Sequence, residues 1–163
     1  MSTTHETTRD AYTAAAVLHT TAGAIYRRYI TASLMADHEV SCARRVKFYI
    51  DTPATARSVL RAPAHGEYVK YRNVTNAQLS AMRDNATVLH TAVCANNQLS
   101  AMASSLRVTG AGIDSTIQQI RDLMTRYDAM MQRYQSTADI SPLHTLNETL
   151  RDVETILLTM KGE

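Results

Sequence analysis

One stretch of the sequence limits the fold more than any other. It is an apolar stripe over residues 113–135 whose members alternate steps of four and three without a fault. The stripe consists of Ile113, Ile117, Ile120, Met124, Tyr127, Met131 and Tyr134. This spacing puts all of them on one narrow line of an α-helix, which suits a helix that packs lengthwise against another helix. The stripe therefore predicts an amphipathic helix within a helical assembly.

Three further segments carry helical spacing. Residues 141–161 begin with Ser141-Pro142 and repeat the narrow stripe in Leu143, Leu146, Leu150, Val153, Leu157 and Met160. Upstream, apolar spacing predicts one long helix over about residues 11–50 and a second over about residues 54–108. Asp51, Thr52 and Pro53 separate these two, since Thr52 can cap the second helix and Pro53 fits its first turn.

Few residues interrupt these helices, because the 163-residue chain has only 5 glycines and 3 prolines. Residues 63–66 (Pro-Ala-His-Gly) predict a kink in the second helix or, alternatively, a true turn. Residues 110–112 (Gly-Ala-Gly) end that helix. The sequence thus predicts a single all-α domain over residues 1–163, with a long helical hairpin over residues 11–108 and the shorter C-terminal helices, about 113–135 and 141–161, packed on it. The stripes could all be filled internally, but four long ones favour an elongated hairpin whose outer stripes await partners.

Residues that carry chemistry are sparse. His38 and Cys42 have the i, i+4 spacing that can hold a metal, but nothing near them in the sequence supplies further ligands, so neither a metal nor another cofactor is predicted. Cys42 and Cys94 are expected to be reduced thiols of a cytosolic chain, because the first residues lack the pattern of a secretory signal. No Ser–His–Asp order or phosphate-binding glycine loop is present. We expect a protein that is not an enzyme.

Charge is distributed unevenly. Residues 1–113 hold twelve Lys/Arg against seven Asp/Glu, a balance of +5, and residues 114–163 hold five against eight, a balance of −3. The predicted basic face of the first helix consists of Arg27, Arg28, Arg44, Arg45 and Lys47. Further basic residues follow at Arg57, Arg61, Lys70 and Arg72. Such a face can attract anionic lipid at about 1 kcal/mol per Lys/Arg near the membrane, can bind phosphate backbones, or can simply be solvated.

Several stretches resemble the ESCRT-III family of membrane-remodelling proteins, in particular the type-1 charged multivesicular body proteins. The similar stretches are Thr52-Pro53-Ala54-Thr55-Ala56-Arg57, Leu99-Ser100-Ala101-Met102-Ala103-Ser104-Ser105-Leu106 and Ile117-Gln118-Gln119-Ile120-Arg121-Asp122-Leu123-Met124. The first resembles the family's hairpin turn, the second its Ser-Met segment and the third the helix that follows. The resemblance implies a helical hairpin with smaller helices folded against it.

The last helix has a resemblance of its own. Val153, Leu157, Met160 and Lys161 have the spacing of the family's MIT-interacting motif, which recruits an MIT-domain AAA ATPase. The same residues also match the family's fifth helix, which folds back on the core. The resemblance thus implies a cytoplasmic subunit, peripheral on endosomal or other membranes, that assembles with itself or related subunits on anionic lipid for membrane remodelling, scission and endosomal sorting.

Two other functions fit the same helices. The chain could be a coiled-coil structural subunit of a fixed cytosolic trafficking complex, in which partner subunits fill the outer stripes permanently. A small helical nucleic-acid binder is a weaker interpretation, because the acidic third and fourth segments dilute the positive charge. Salt-dependent binding to anionic liposomes distinguishes the membrane-assembling subunit from the fixed subunit, because a fixed subunit should stay in solution.

Overall fold

The computed structural model describes residues 4–109 and 112–162, with side chains over residues 9–108 and 112–162. Five α-helices follow one another along this part of the chain, and it contains no strand. They are α1 (Thr4–Asp51), α2 (His65–Tyr71), α3 (Asn76–Ser104), α4 (Ile113–Tyr134) and α5 (Ser141–Met160). A 3₁₀ helix (Ala54–Val59) follows α1, and a π-helical turn (Ser105–Thr109) extends α3. The all-α fold predicted from the sequence is confirmed.

The long hairpin is formed by α1 and α3, which run antiparallel. Ala14 and Leu18 near the start of α1 share a buried core with Leu106 after α3, whereas Arg44 near the end of α1 lies beside Arg83 near the start of α3. Both helices bury a stripe of small and branched residues against each other, and this contact is by far the most extensive in the molecule. The elongated hairpin therefore rests on matched apolar stripes, as the sequence predicts.

The second arm of the hairpin does not begin where the sequence predicts. The prediction of one helix from residue 54 to about residue 108 is wrong. The chain forms the short 3₁₀ helix, runs extended around Leu60 and Ala64, and forms the seven-residue α2 before α3 starts at Asn76. Pro63 disfavours helical geometry in the residue before it, and Val59 is 85% exposed, so no burial draws this segment into a helix. Residues 63–66 form neither the kink nor the turn that the sequence offered, because Pro63 and Ala64 are outside any helix and His65 and Gly66 already begin α2.

The helix cap also differs. Thr52 caps nothing, because its hydroxyl donates to the Phe48 carbonyl 2.7 Å away, and Pro53 precedes the 3₁₀ helix without a side-chain bond. The actual cap is Thr75. Its hydroxyl accepts from the Gln78 N–H at 3.0 Å, and the Gln78 side chain accepts from the Thr75 N–H at 2.9 Å. This reciprocal capping box fixes the start of α3.

The two C-terminal helices form a second antiparallel hairpin. Its helices run from Ile113 to Tyr134 and from Ser141 to Met160, against predicted ranges of 113–135 and 141–161. The predicted break at 110–112 falls mainly on residues 110 and 111, which lie outside the described residues, and Gly112 precedes the first turn of α4. A buried Asn147 donates to the Asp128 carboxylate at 2.7 Å and so links the two helices.

Burial divides the molecule into two regions. The tip comprises residues 40–83, where a small core is formed by Cys42, Ala43, Val46, Tyr71 and Leu79. The body comprises the other described residues, where α1, α3, α4 and α5 contribute to one large apolar core. The tip therefore has far less hydrophobic stabilisation than the body.

Candidate functional site

The predicted basic residues of α1 fall into two separate places. Arg27 and Arg28 are exposed on the body, and the Arg28 guanidinium lies over the Tyr29 ring, 5.6 Å from its centroid. Arg44, Arg45 and Lys47 lie on the tip, about 24 Å further along the helix at 1.5 Å per residue. One continuous basic face along α1 is therefore not what the fold presents.

The tip has a net positive charge, whereas the rest of the chain has a net negative charge. Residues 40–83 hold eight Lys/Arg and two Asp/Glu, a balance of +6, while the remaining residues hold nine against thirteen, a balance of −4. The basic residues of the tip are Arg44, Arg45, Lys47, Arg57, Arg61, Lys70, Arg72 and Arg83. The long axis of the hairpin thus separates a cationic end from a mildly anionic body, a field that attracts an anionic surface to one end of the molecule.

Some of these cations are engaged within the fold. The Arg45 Nε lies 2.9 Å from a Glu67 carboxylate oxygen, and this bond raises the pKa of Arg45. The Lys70 ammonium lies 3.2 Å from the Glu39 carboxylate. In both pairs the basic side chain is more than half exposed, so the pairs position their side chains but contribute little to stability.

Arg57 has a structural task that the sequence did not reveal. Its guanidinium donates to the carbonyl oxygens of Tyr49, Ile50 and Thr52 at 2.9 to 3.1 Å. The first two carbonyls belong to the last turn of α1 and the third follows its end, where the helix dipole is negative and backbone acceptors lack helical partners. Arg57 therefore serves as the C-terminal cap of α1 and is not free to face a ligand.

Arg44 and Arg83 differ from these capped and paired residues. They lie on opposite arms of the hairpin and line the same groove, and neither guanidinium group forms an ion pair or hydrogen bond within the part of the chain that the structure describes. Sequence reasoning included Arg44 and missed Arg83, because Arg83 stands alone in the sequence. Only the register of α1 against α3 brings the two together.

The residues that resemble an MIT-interacting motif are built into the body. Val153 and Leu157 are 3% and 0% exposed, and Met160 packs against the same core. Lys161 is ion-paired with Asp114 at the start of α4. In this conformation the apolar residues of the motif hold α5 in place, so a partner could bind them only after α5 is released.

Two polar contacts join the C-terminal hairpin to α3. The Tyr127 hydroxyl donates to the Gln98 side-chain oxygen at 2.9 Å, and the Asp139 N–H donates to the Asn85 side-chain oxygen at 2.8 Å. Burial raises the pKa of Tyr127 to about 12. Apolar burial also contributes to this attachment, since Leu143, Leu150 and Leu157 are fully buried in the shared core.

The outer face of α1 is an uncovered apolar surface. Tyr12, His19 and Tyr26 are spaced by seven residues and exposed, and Leu34, further along, is 61% exposed. Residues 11–26 contain no Asp, Glu, Lys or Arg. A charge-free line on an exposed helix is typical of a surface that contacts another helix.

The His38–Cys42 pair does not extend to a metal site among the described residues. His38 Nε2 lies 3.5 Å from Cys42 Sγ, but over residues 4–109 and 112–162 no three His, Cys, Asp or Glu side chains are grouped to hold a metal. Cys42 and Cys94 are free thiols. None of the helices in the described ranges has the length and hydropathy needed to cross a membrane.

Comparisons with protein families, with curated proteins and with solved structures find no match for this chain.

Proposed function

We propose that this chain is a non-catalytic, ESCRT-III-like subunit that assembles with itself or related subunits on anionic membranes. The observation that carries the proposal is the separation of charge along the hairpin, with +6 on residues 40–83 and −4 on the rest. A membrane-remodelling role at endosomes, and recruitment of an MIT-domain ATPase by Val153, Leu157, Met160 and Lys161, extend this proposal from the resemblance of the sequence.

The mechanism needs no cofactor. The cationic tip approaches the lipid headgroups, where each Lys or Arg near the surface contributes about 1 kcal/mol. The exposed line on α1, with Tyr12 and Tyr26, contacts a neighbouring helix in the assembly. The C-terminal hairpin restrains this assembly while α5 is packed, since releasing α5 exposes the apolar faces of α1, α3 and α4 and makes them available for contacts between subunits.

The alternative is a fixed subunit of a cytosolic trafficking complex. The uncovered line on α1 favours it as well, because a permanent partner helix could occupy that line. Such a subunit would need neither lipid nor release of α5. Binding to vesicles therefore distinguishes the two functions.

The test uses two matched variants of α5. Leu157→Asp places a charge where the side chain is 0% exposed and should release α5, whereas Ile156→Asp adds the same charge where the side chain is 43% exposed. We expect Leu157→Asp to sediment with anionic vesicles far more than the wild-type chain, while Ile156→Asp behaves like the wild type. Neutral vesicles and a vesicle-free sample exclude simple aggregation of the variant.

The opposite result is equally clear. The Leu157→Asp variant is first shown to have lost the packing of α5. If it then stays in the supernatant with anionic vesicles, release of α5 does not lead to assembly on membranes. The fixed-subunit function then replaces the proposal.

A further inference from the structure

An open groove of about 410 Å³ lies between the two arms of the hairpin within the tip. It is lined by Ser41, Arg44, Arg45, Lys47, Phe48, Leu79 and Arg83. A second groove continues along the same arms and shares two of these residues, Arg44 and Arg83. The two guanidinium groups therefore come from opposite helices and border both grooves.

The first groove has cationic side chains and no carboxylate among its lining residues. Arg45 is held by Glu67, and the Lys47 ammonium lies 3.5 Å from the Val74 carbonyl oxygen. Arg44 and Arg83 have no such partner within the described ranges, and Asp37 is the one acidic side chain that lines the adjoining groove. Arg44, Lys47 and Arg83 are not ion-paired in the part of the chain that the structure describes, so their like charges repel each other, and a bound anion relieves that repulsion.

The chemistry of the groove suits phosphate. Guanidinium groups present several N–H donors in a fixed plane that matches two phosphate oxygens, while lysine adds a mobile point charge. Ser41, which is exposed at the groove, offers a hydroxyl as a further donor. The base of the groove is packed, because Ala43, Val46 and Leu79 are buried between the helices that carry these cations.

We propose that Arg44, Lys47 and Arg83 form a binding site for a small molecule or headgroup that carries two or more phosphate groups. The size of the groove falls within the usual range for small-ligand sites and exceeds what one phosphate group fills. The inference rests on the proposed membrane function in one respect: Phe48 beside the groove is 64% exposed and can enter the lipid surface when the ligand is a phosphorylated headgroup.

The test compares two double variants of the full chain that each remove two positive charges from the tip. Arg44→Gln with Arg83→Gln alters the groove, whereas Arg61→Gln with Arg72→Gln alters two exposed arginines outside it. None of these four side chains has an ion pair or hydrogen bond within the described ranges to lose, so both variants should fold. Calorimetric titration with inositol hexakisphosphate measures affinity in the absence of membrane.

We expect the groove variant to bind this probe about tenfold more weakly or worse, and the control variant to bind within about threefold of the wild type. Equal losses in the two variants would overturn the site, because the probe would then be sensing only the overall charge of the tip. Absence of binding to the wild type would overturn it as well.

Vesicles identify the source of the phosphate and separate this inference from the proposed function. Binding of Leu157→Asp to vesicles with a bisphosphorylated inositol lipid, above phosphatidylserine vesicles of equal surface charge, supports a headgroup ligand. Groove-dependent binding of the soluble probe without any vesicle binding supports a free phosphorylated ligand and removes the membrane function. Vesicle binding that the two double variants weaken equally leaves the membrane function in place and overturns the groove.

Discussion

The body and the tip of this molecule are stabilised in different ways. The body buries apolar side chains from four helices in one core, whereas the tip has a core of five residues and depends on the Arg57 cap of α1 and the Thr75 capping box of α3. The region with less burial carries the net positive charge, +6 over residues 40–83. Burying cations would be costly, so a chain that must present many of them cannot also build a large core there.

The difference suggests a division of roles. In the proposed function, the tip presents charge to a partner, and the body determines whether the rest of the hairpin is available for assembly.

The largest expected effect is in the body. Leu150→Ala removes a side chain that is 0% exposed and should lower the free energy of unfolding by about 2–5 kcal/mol, through lost burial and a cavity. Urea denaturation followed by circular dichroism measures this change. Leu79→Ala, at 8% exposure in the tip, should cost clearly less, and equal losses would remove the contrast between the regions.

The next largest effect concerns the Arg57 cap at the end of α1. Arg57→Gln removes the cation that caps the last carbonyls of α1 and should destabilise the tip by about 1–2 kcal/mol. Hydrogen exchange over residues 45–60 should become faster, while exchange in α5 stays unchanged. Arg61→Gln is the matched control, because Arg61 is exposed and caps no helix. The cap assignment fails if both variants speed exchange to the same extent.

The smallest effect tests the polar joint between α3 and α4. Burial raises the pKa of Tyr127 to about 12 from 10.0, so the unfolded chain releases this proton at lower pH than the folded chain does. The contribution of this hydroxyl to stability is complete below pH 10 and is lost as the pH rises from about 10 to 12. The loss of stability amounts to on the order of 1 kcal/mol near pH 11.

Tyr127→Phe should remove this part of the alkaline destabilisation, as measured by denaturant unfolding at pH 9 and pH 11. Tyr12→Phe is the control, because Tyr12 is 56% exposed and should leave the pH dependence unchanged. If Tyr127→Phe retains the full alkaline loss, the buried hydroxyl is not its source.

The sequence predicts the body much better than the tip. The stripes of α4 and α5 place both helices within one residue of their ends, because a buried helix face repeats every 3.6 residues and the repeat is visible in Ile117, Ile120 and Leu150. Residues 52–75 carry no such stripe. Their structure depends on competing local signals, and the plausible cap at Thr52 obscured the better one at Thr75, where Gln78 completes a capping box.

The basic groove could not be found from sequence proximity. Arg44 and Arg83 are 39 positions apart, and they meet only because α1 and α3 pair in one particular register. Arg57 shows the converse, since its charge seemed available until the structure placed it against the end of α1. Composition locates the charge, but the fold decides which charges remain free.

The central claim is that the tip meets the membrane while the body releases α5. Hydrogen exchange of the wild-type chain, free and at saturating anionic vesicles, tests both halves at once. We predict slower exchange over residues 40–83 and faster exchange over Ser141–Met160 in the bound state. Unchanged exchange in the tip, or a bound state in which α5 keeps its full protection, would contradict the account.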